Sequence, residues 1–147
     1  MYCLPTDEHI RSLLQQARNI VVVGLSDKTH RDSNRVAKYL QEHGYRIIPV
    51  NPGLKTILGE KCYPDLLSIP EPVDIINVFR RSELVLPVVR DALHLNPQAI
   101  WLQLGIMNEG AADLANSAGV SIIMDKCIKV EHSRLLGSCG IPLNSLN

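Results

Sequence analysis

The sequence predicts an α/β fold in which a doubly wound parallel sheet of about five strands carries helices on both faces. Short, β-branched apolar runs alternate along the chain with helix-like stretches. Near-continuous apolar runs are typical of parallel strands that are buried on both faces. The predicted strands cover residues 20–23, 47–50, 73–79, 100–102 and 120–124. Right-handed crossovers between such strands give the doubly wound arrangement.

The helices are predicted between these strands, over residues 7–17, 33–43, 82–95 and 109–118. Gly44 and Gly119 stand where a left-handed helix end favours glycine, and Asn108 is a predicted N-cap. Because a proline inside a helix removes a backbone donor, the regular part of the third helix should start near Pro87. Residues 51–72 contain four prolines, so they predict a loop-rich connection with at most a short helix around residues 64–68.

The composition bounds the class of protein. The 147 residues are 46% hydrophobic, which suits one domain with one sizeable core. The 15 basic residues balance 15 acidic ones, so bulk electrostatic binding to nucleic acid or an anionic membrane is not expected. No apolar run reaches the length of a membrane-spanning helix, and the first residues lack a secretory pattern.

Cysteine usage gives no sign of a metal or redox centre. Cys3, Cys62, Cys127 and Cys139 are far apart and form no CxxC pair. A disulfide framework is typical of small domains with little apolar content, which this chain is not. We therefore expect no metal site and a cytoplasmic protein with reduced thiols.

The ligand site is predicted past the carboxyl ends of the strands, where doubly wound folds hold their ligands. The loop after the first strand begins at Gly24, whose lack of a side chain permits close approach of a ligand to the backbone. Lys28 and Arg31 add positive charge, as does Arg35, and the next helix presents free backbone amides. Neutral donors in the same stretch are Ser26, Ser33 and Asn34. The loop therefore suits a phosphate or pyrophosphate; the alternative is a glycine turn before a solvated helix start.

Three further strand ends contribute candidate residues. Asn51 and Pro52 turn the chain after the second strand, and a plain turn explains them equally well. Phe79 and Arg80 follow the third strand, where a ring can lie against an adenine or a thin aliphatic ligand and a guanidinium can meet phosphate. A solvated pair of arginines, Arg80 and Arg81, is the competing interpretation. Gly105 follows the fourth strand, and a turn glycine is the competing interpretation.

The first loop lacks the dinucleotide fingerprint. Positions 26 and 29 are Ser and Thr where GxGxxG requires glycine, and no acidic residue ends the second strand. Both departures weaken NAD as the ligand. Cys127 and His132 suggest a thiolate–imidazole pair, but no other part of such a site can be placed, so catalysis there is not expected.

Several blocks in a fixed order resemble the small CoA-binding domain family, stand-alone relatives of the CoA-binding domain of the succinyl-CoA synthetase α subunit. The blocks read VVGLSDK, SNRVAKYL, GYRIIPVNP, VFRR, IWLQ and MDKC along residues 22–127. The resemblance runs from about residue 18 to residue 136 and implies a Rossmann-like fold with coenzyme A across the carboxyl ends of the strands. Thr29 stands where the family usually has proline, so the first loop is expected to differ locally.

The resemblance implies a set of coenzyme A contacts in four loops, namely Gly24, Leu25, Ser26, Lys28, Arg31, Ser33, Asn34, Asn51, Pro52, Phe79, Arg80 and Gly105. The resemblance implies a CoA-binding domain over residues 18–136, and the residue pattern predicts an N-terminal helix over residues 1–17 packed on the domain and a small, polar tail over 137–147 that frays. In the synthetase the phosphorylated histidine lies in a second domain after the CoA-binding one, and this chain ends before such a domain could begin.

The leading hypothesis is therefore a module that binds coenzyme A or an acyl-CoA without ligase activity of its own. An NAD(P)-binding oxidoreductase-like module and a CoA-responsive regulatory protein are the alternatives. The expected partner is a small molecule rather than nucleic acid or membrane. The sequence does not decide whether the chain forms a homo-oligomer.

Overall fold

The computed structural model describes residues 2–137 and contains a five-stranded, wholly parallel sheet in the order β2–β1–β5–β6–β7. The strands in chain order are β1 (Asn19–Val23), β2 (Arg46–Val50), β3 (Thr56–Ile57), β4 (Glu60–Lys61), β5 (Ile75–Val78), β6 (Ala99–Leu102) and β7 (Ser121–Ile123). β3 and β4 form a separate antiparallel pair. The predicted α/β Rossmann-like fold is thereby confirmed.

Within residues 2–137, five α-helices lie between and beside the strands: α1 (Asp7–Gln16), α2 (Asp32–Glu42), α3 (Val85–Leu93), α4 (Glu109–Ser117) and α5 (Ile128–His132). α1, α2 and α5 cover one face of the sheet, where Trp101 is the largest fully buried side chain. α3 and α4 cover the other face, against Ile76 and Ile100. Because side chains alternate along a strand, each strand supplies both cores, and its apolar run is nearly continuous.

The N-terminal helix packs on the body of the domain. Ile10, Leu13 and Leu14 of α1 are 1%, 7% and 1% exposed and belong to the core beneath α2. The Arg134 guanidinium holds the Asp7 carboxylate with two hydrogen bonds of 2.9 and 2.8 Å. This pairing lowers the pKa of Asp7, since the adjacent positive charge favours the ionised carboxyl group.

Local details refine the predicted elements. A 3-10 turn over Ser82–Leu84 precedes α3, which begins at Val85 and carries Pro87 in its first turn, where a backbone donor has no helical partner. Leu66–Ser68 form the short helical turn expected in the second crossover. The β3–β4 pair in that crossover and helix α5 were not predicted from the sequence.

The strand ends lie at one edge because the register is even. Val23 of β1 stands opposite Val50 of β2 and Val78 of β5, and Val78 stands opposite Leu102 of β6. The loops that follow these strands therefore start side by side. No helix within residues 2–137 is long and apolar enough to cross a membrane. The predicted tail beyond residue 137 lies outside the described residues.

Candidate functional site

The strand order reverses between β1 and β5, which places the candidate crevice at their carboxyl ends. The chain leaves β1 towards β2 on one side, and the later strands of this sheet, β5, β6 and β7, lie on the other side. The Gly24 amide donates to the Val50 carbonyl, and the Phe79 amide donates to the Val23 carbonyl, both at 2.9 Å. The first residues of both loops are thus fixed by continuation of the sheet hydrogen bonding.

The backbone conformation and a neighbouring strand end both require glycine at position 24. Its φ is +82°, and a Cβ placed on it would lie 2.4 Å from the Phe79 carbonyl oxygen. Any side chain would both strain the backbone and collide with a neighbouring strand end. The absence of a side chain at Gly24 therefore allows the backbone at the end of β5 to approach closely. This contact joins the two sides of the crevice.

The polar residues of the first loop hold the loop in shape. The Ser26 amide donates to Ser33 Oγ at 3.0 Å, and Asn34 Nδ2 donates to the Ser26 carbonyl at 2.9 Å. Ser26 Oγ in turn accepts from the Lys28 amide at 3.0 Å. Ser33 and Asn34 are 7% and 3% exposed, so they contribute to a ligand site through the loop that they position. The Leu25 side chain is fully buried in the core.

Asn51 ties the second loop to the first. Its Nδ2 donates to the Leu25 carbonyl, and its Oδ1 accepts from the Gly53 amide, both at 3.0 Å. Pro52 beside it is exposed. Asn51 is thus more than a plain turn residue, since both polar atoms of its side chain are used to join two loops.

Positive charge faces the solvent around the crevice. Lys28 and Arg31 of the first loop are exposed, and Arg80 after β5 is half-buried beside exposed Arg81. None of these four cations forms an ion pair with another residue of the 2–137 region. Arg35, by contrast, pairs with Asp32 at 2.9 Å.

Two adjoining cavities make up the crevice, and Phe79 and Ile106 line both. The first encloses about 390 Å³ between α2, the ends of β5 and β6, and α5. Its wall is mostly apolar and includes Val36, Phe79, Leu104, Ile106 and Val130. The second is wider and shallower and runs over Phe79–Glu83 to Gly105.

The turn after β6 is built around Gly105. Its φ is +86°, and its amide donates to Asp125 Oδ1 at 2.7 Å. A Cβ on Gly105 would meet nothing within 4 Å. The turn conformation therefore accounts for this glycine, which lies on the floor of the shallow cavity.

Several residues of the crevice escaped the sequence prediction, namely Gln103, Leu104, Ile106, Cys127 and Val130. Only Gln103 left a usable signal, because a polar residue directly after a buried strand stands at the ligand edge of the sheet. Val130 lies on α5, which was not predicted, and Cys127 is the N-cap residue of that helix.

Cys127 and His132 form no pair in the described structure. Cys127 lines the cavity, whereas His132 Nδ1 lies 2.8 Å from the Tyr39 hydroxyl on α2. Burial, together with a smaller effect of the neighbouring His43, lowers the pKa of His132 to about 4. His132 is thus a buried neutral imidazole between α2 and α5, and the remaining four histidines are exposed.

A family model and two proteins of similar length match most of this chain. A family model described as CoA binding domain matches residues 18–133. The uncharacterized protein YneT of Bacillus subtilis is 43% identical over 129 residues, covering 88% of this chain and 96% of that protein. A hypothetical protein from Pyrococcus horikoshii superimposes with a TM-score of 0.87 at 41% identity, over 90% of this chain and 94% of the other.

A larger relative carries a similar segment. An ADP-forming acetate–CoA ligase of Archaeoglobus fulgidus is 28% identical over 126 residues, covering 79% of this chain and 18% of the ligase. This chain therefore corresponds to less than a fifth of that enzyme. From the match over residues 18–133 and the relatives of similar length, the chain belongs to the CoA binding domain family.

Proposed function

We propose that the protein is a binding module for coenzyme A, held in the crevice at the carboxyl edge of the sheet. The observation that carries the proposal is that the carboxyl edge of the sheet combines an apolar cavity with solvent-facing cations. Arg80 and Arg81 line the second cavity, and Lys28 and Arg31 stand on the first loop outside both cavities. Coenzyme A has two matching parts, since its phosphates lie on the nucleotide and its pantetheine arm is thin and uncharged. A ligand with charge throughout would leave the apolar wall without a partner.

The cationic part suits the phosphates. Lys28 and Arg31 have no ion pair within residues 2–137, and the amides of the first turn of α2 follow them directly. Unpaired cations beside a helix N-terminus favour an anion through both charge and hydrogen bonds. We place the pyrophosphate at this loop, with Arg80 across the crevice as a further phosphate contact.

The apolar part suits the pantetheine arm. Phe79 lies at the junction of the two cavities, so a thin arm that passes its ring reaches the space before Gln103 and Leu104. The family match supports this assignment, because a CoA binding domain model covers the strands and loops that form the crevice. The acetate–CoA ligase relative uses coenzyme A, which agrees with the same ligand class.

Titration calorimetry with coenzyme A, NAD and NADP tests the proposal. We expect heat of binding with coenzyme A alone, together with a rise in Tm because the ligand binds only the folded state. Arg80→Gln should weaken the binding of coenzyme A about tenfold, the usual loss for one charge-assisted hydrogen bond. Arg90→Gln, a matched change at an exposed position of α3 outside the crevice, should leave the affinity unchanged.

Two results would overturn the proposal. One is the absence of heat and of a Tm shift at millimolar coenzyme A. The other is tighter binding of NAD or NADP than of coenzyme A, which would favour a dinucleotide-binding module.

A further inference from the structure

The apolar cavity is lined by large hydrophobic side chains that are exposed to solvent. Leu104 is 67% exposed and Val130 is 55% exposed, and both line the cavity of about 390 Å³. Phe79, Val36 and Ile106 complete an apolar wall. Apolar surface open to water is unfavourable, so this wall favours a ligand that carries an aliphatic group.

One buried polar side chain interrupts the wall. Gln103 is 6% exposed and lines the cavity. Its Oε1 accepts from Asn77 Nδ2 at 3.1 Å and from the Ile128 amide at 3.3 Å. Both partners are donors, so the oxygen of the Gln103 amide must face them.

The orientation of Asn77 is fixed independently. Its Nδ2 also donates to the Trp101 carbonyl at 3.3 Å, and a carbonyl can only accept. The Gln103 Nε2 group is consequently turned away from its two donors, and no residue of the 2–137 region accepts from it. The one buried side-chain atom of the 2–137 region that lacks a hydrogen-bond partner is Asn77 Oδ1, so Gln103 Nε2 is not sealed in the core but is open to the cavity, where a ligand can supply its acceptor.

We propose that the preferred ligand is an acyl thioester of coenzyme A with a short, uncharged aliphatic chain. The thioester carbonyl accepts a hydrogen bond from Gln103 Nε2, and the chain lies against Phe79, Leu104 and Val130. Free coenzyme A ends in a thiol, which offers neither this carbonyl nor an aliphatic group. The inference rests on the proposed function, since it assigns the group at the end of the pantetheine arm.

The charges around the cavity favour an uncharged chain. Asp32 and Arg35 neutralise each other at 2.9 Å on the rim. Lys129 Nζ lies 5.6 Å from the centroid of the Tyr39 ring, which holds it beside α2. A chain that ends in a carboxylate would therefore find its nearest cations already engaged.

Calorimetric titration of the full chain with coenzyme A, acetyl-CoA and butyryl-CoA tests the inference. Burial of one methylene strengthens binding about fourfold, so butyryl-CoA, which has two methylenes more, should bind about fifteenfold more tightly than acetyl-CoA. Acetyl-CoA should in turn bind more tightly than coenzyme A, because it brings the carbonyl. Gln103→Glu keeps an acceptor for Asn77 and Ile128 but removes the donor, so it should abolish the preference for acetyl-CoA over coenzyme A.

A surface variant keeps the test independent of folding. Leu104→Ser removes an exposed part of the wall and should reduce the ratio of butyryl-CoA to acetyl-CoA affinity towards one. Leu67→Ser is the matched control, because Leu67 is 58% exposed and lies outside the cavity, so its ratio should equal that of the unchanged chain.

The outcomes separate the two proposals. If coenzyme A binds as tightly as both acyl-CoAs, the acyl preference is wrong while coenzyme A binding stands. If none of the three ligands binds, both proposals fail. If Leu104→Ser keeps the full chain-length dependence, the aliphatic group does not lie in this cavity.

Discussion

At the scale of single residues, the crevice depends on positions where one atom more would not fit. Gly24 combines a positive φ with a backbone neighbour only 2.4 Å from its missing Cβ. Gly44 has φ +93° but nothing within 4 Å of its missing Cβ. The two glycines therefore separate the cost of backbone strain from the cost of a steric collision.

We expect Gly24→Ala to destabilise the protein by at least about 3 kcal/mol, because strain and a clash with the Phe79 carbonyl add together. Gly44→Ala should cost about 1 kcal/mol, since only the left-handed backbone conformation opposes it. Urea denaturation of the two variants measures the difference. Equal losses would mean that β5 moves aside freely at Phe79.

Residue types predicted the location of the site better than the roles of its members. Gly24 and Asn51 stand out in the sequence because both follow strands, and both lie at the carboxyl edge of the sheet, although neither lines the two cavities. Their roles, however, depend on atoms more than 25 positions away along the chain, such as the Phe79 carbonyl for Gly24. Such contacts follow from strand order and register, which one sequence does not reveal.

At the scale of elements, the strongest sequence signals were accurate and the weakest were missed. Asn108 was predicted as a cap and its Oδ1 accepts from the Ala111 amide at 2.9 Å. Helix α5 covers only five residues, and the β3–β4 pair has two residues per strand, so neither shows a periodic pattern. Both form because the neighbouring core covers Ile128 and Ile57.

The cap of α4 also joins that helix to the loop after β5. Asn108 Nδ2 donates to the Ser82 carbonyl at 3.1 Å. We expect Asn108→Ala to cost about 2 kcal/mol, since both the cap and this bond are lost. Asn108→Ser should recover about 1 kcal/mol, because a serine hydroxyl caps the helix but does not replace the amide donor.

Thermal denaturation distinguishes these Asn108 variants. A loss of about 1 kcal/mol corresponds to a fall of roughly 3 °C in Tm for a domain of this size. Equal Tm values for the alanine and serine variants would contradict a capping role.

At the scale of the whole molecule, one buried histidine joins three elements. The His132 ring on α5 lies 5.4 Å from the Tyr39 ring on α2 and 5.6 Å from the Tyr45 ring beside β2, measured between centroids. His43 lies 5.1 Å away, so a proton on His132 would face a second imidazole as well as an apolar surrounding. Burial also raises the pKa of Tyr45 to about 12, so that ring stays neutral.

The depressed pKa of His132 makes global stability depend on pH. The imidazole has a pKa of 6.5 when unfolded and about 4 when folded, so between these values the unfolded chain binds the extra proton. Stability is therefore complete above pH 6.5 and falls as the pH decreases towards 4, by about 3 kcal/mol from this group.

His132→Gln keeps a hydrogen-bonding partner for Tyr39 but cannot take up the proton. Urea denaturation between pH 7 and pH 4 measures how steeply the free energy of unfolding depends on pH. This slope should be smaller by nearly one proton in His132→Gln. The control His94→Gln, at an exposed position, should keep the slope of the unchanged chain. An identical slope in all three proteins would mean that His132 is protonated within the folded state, and the contact with Tyr39 would then have to rearrange.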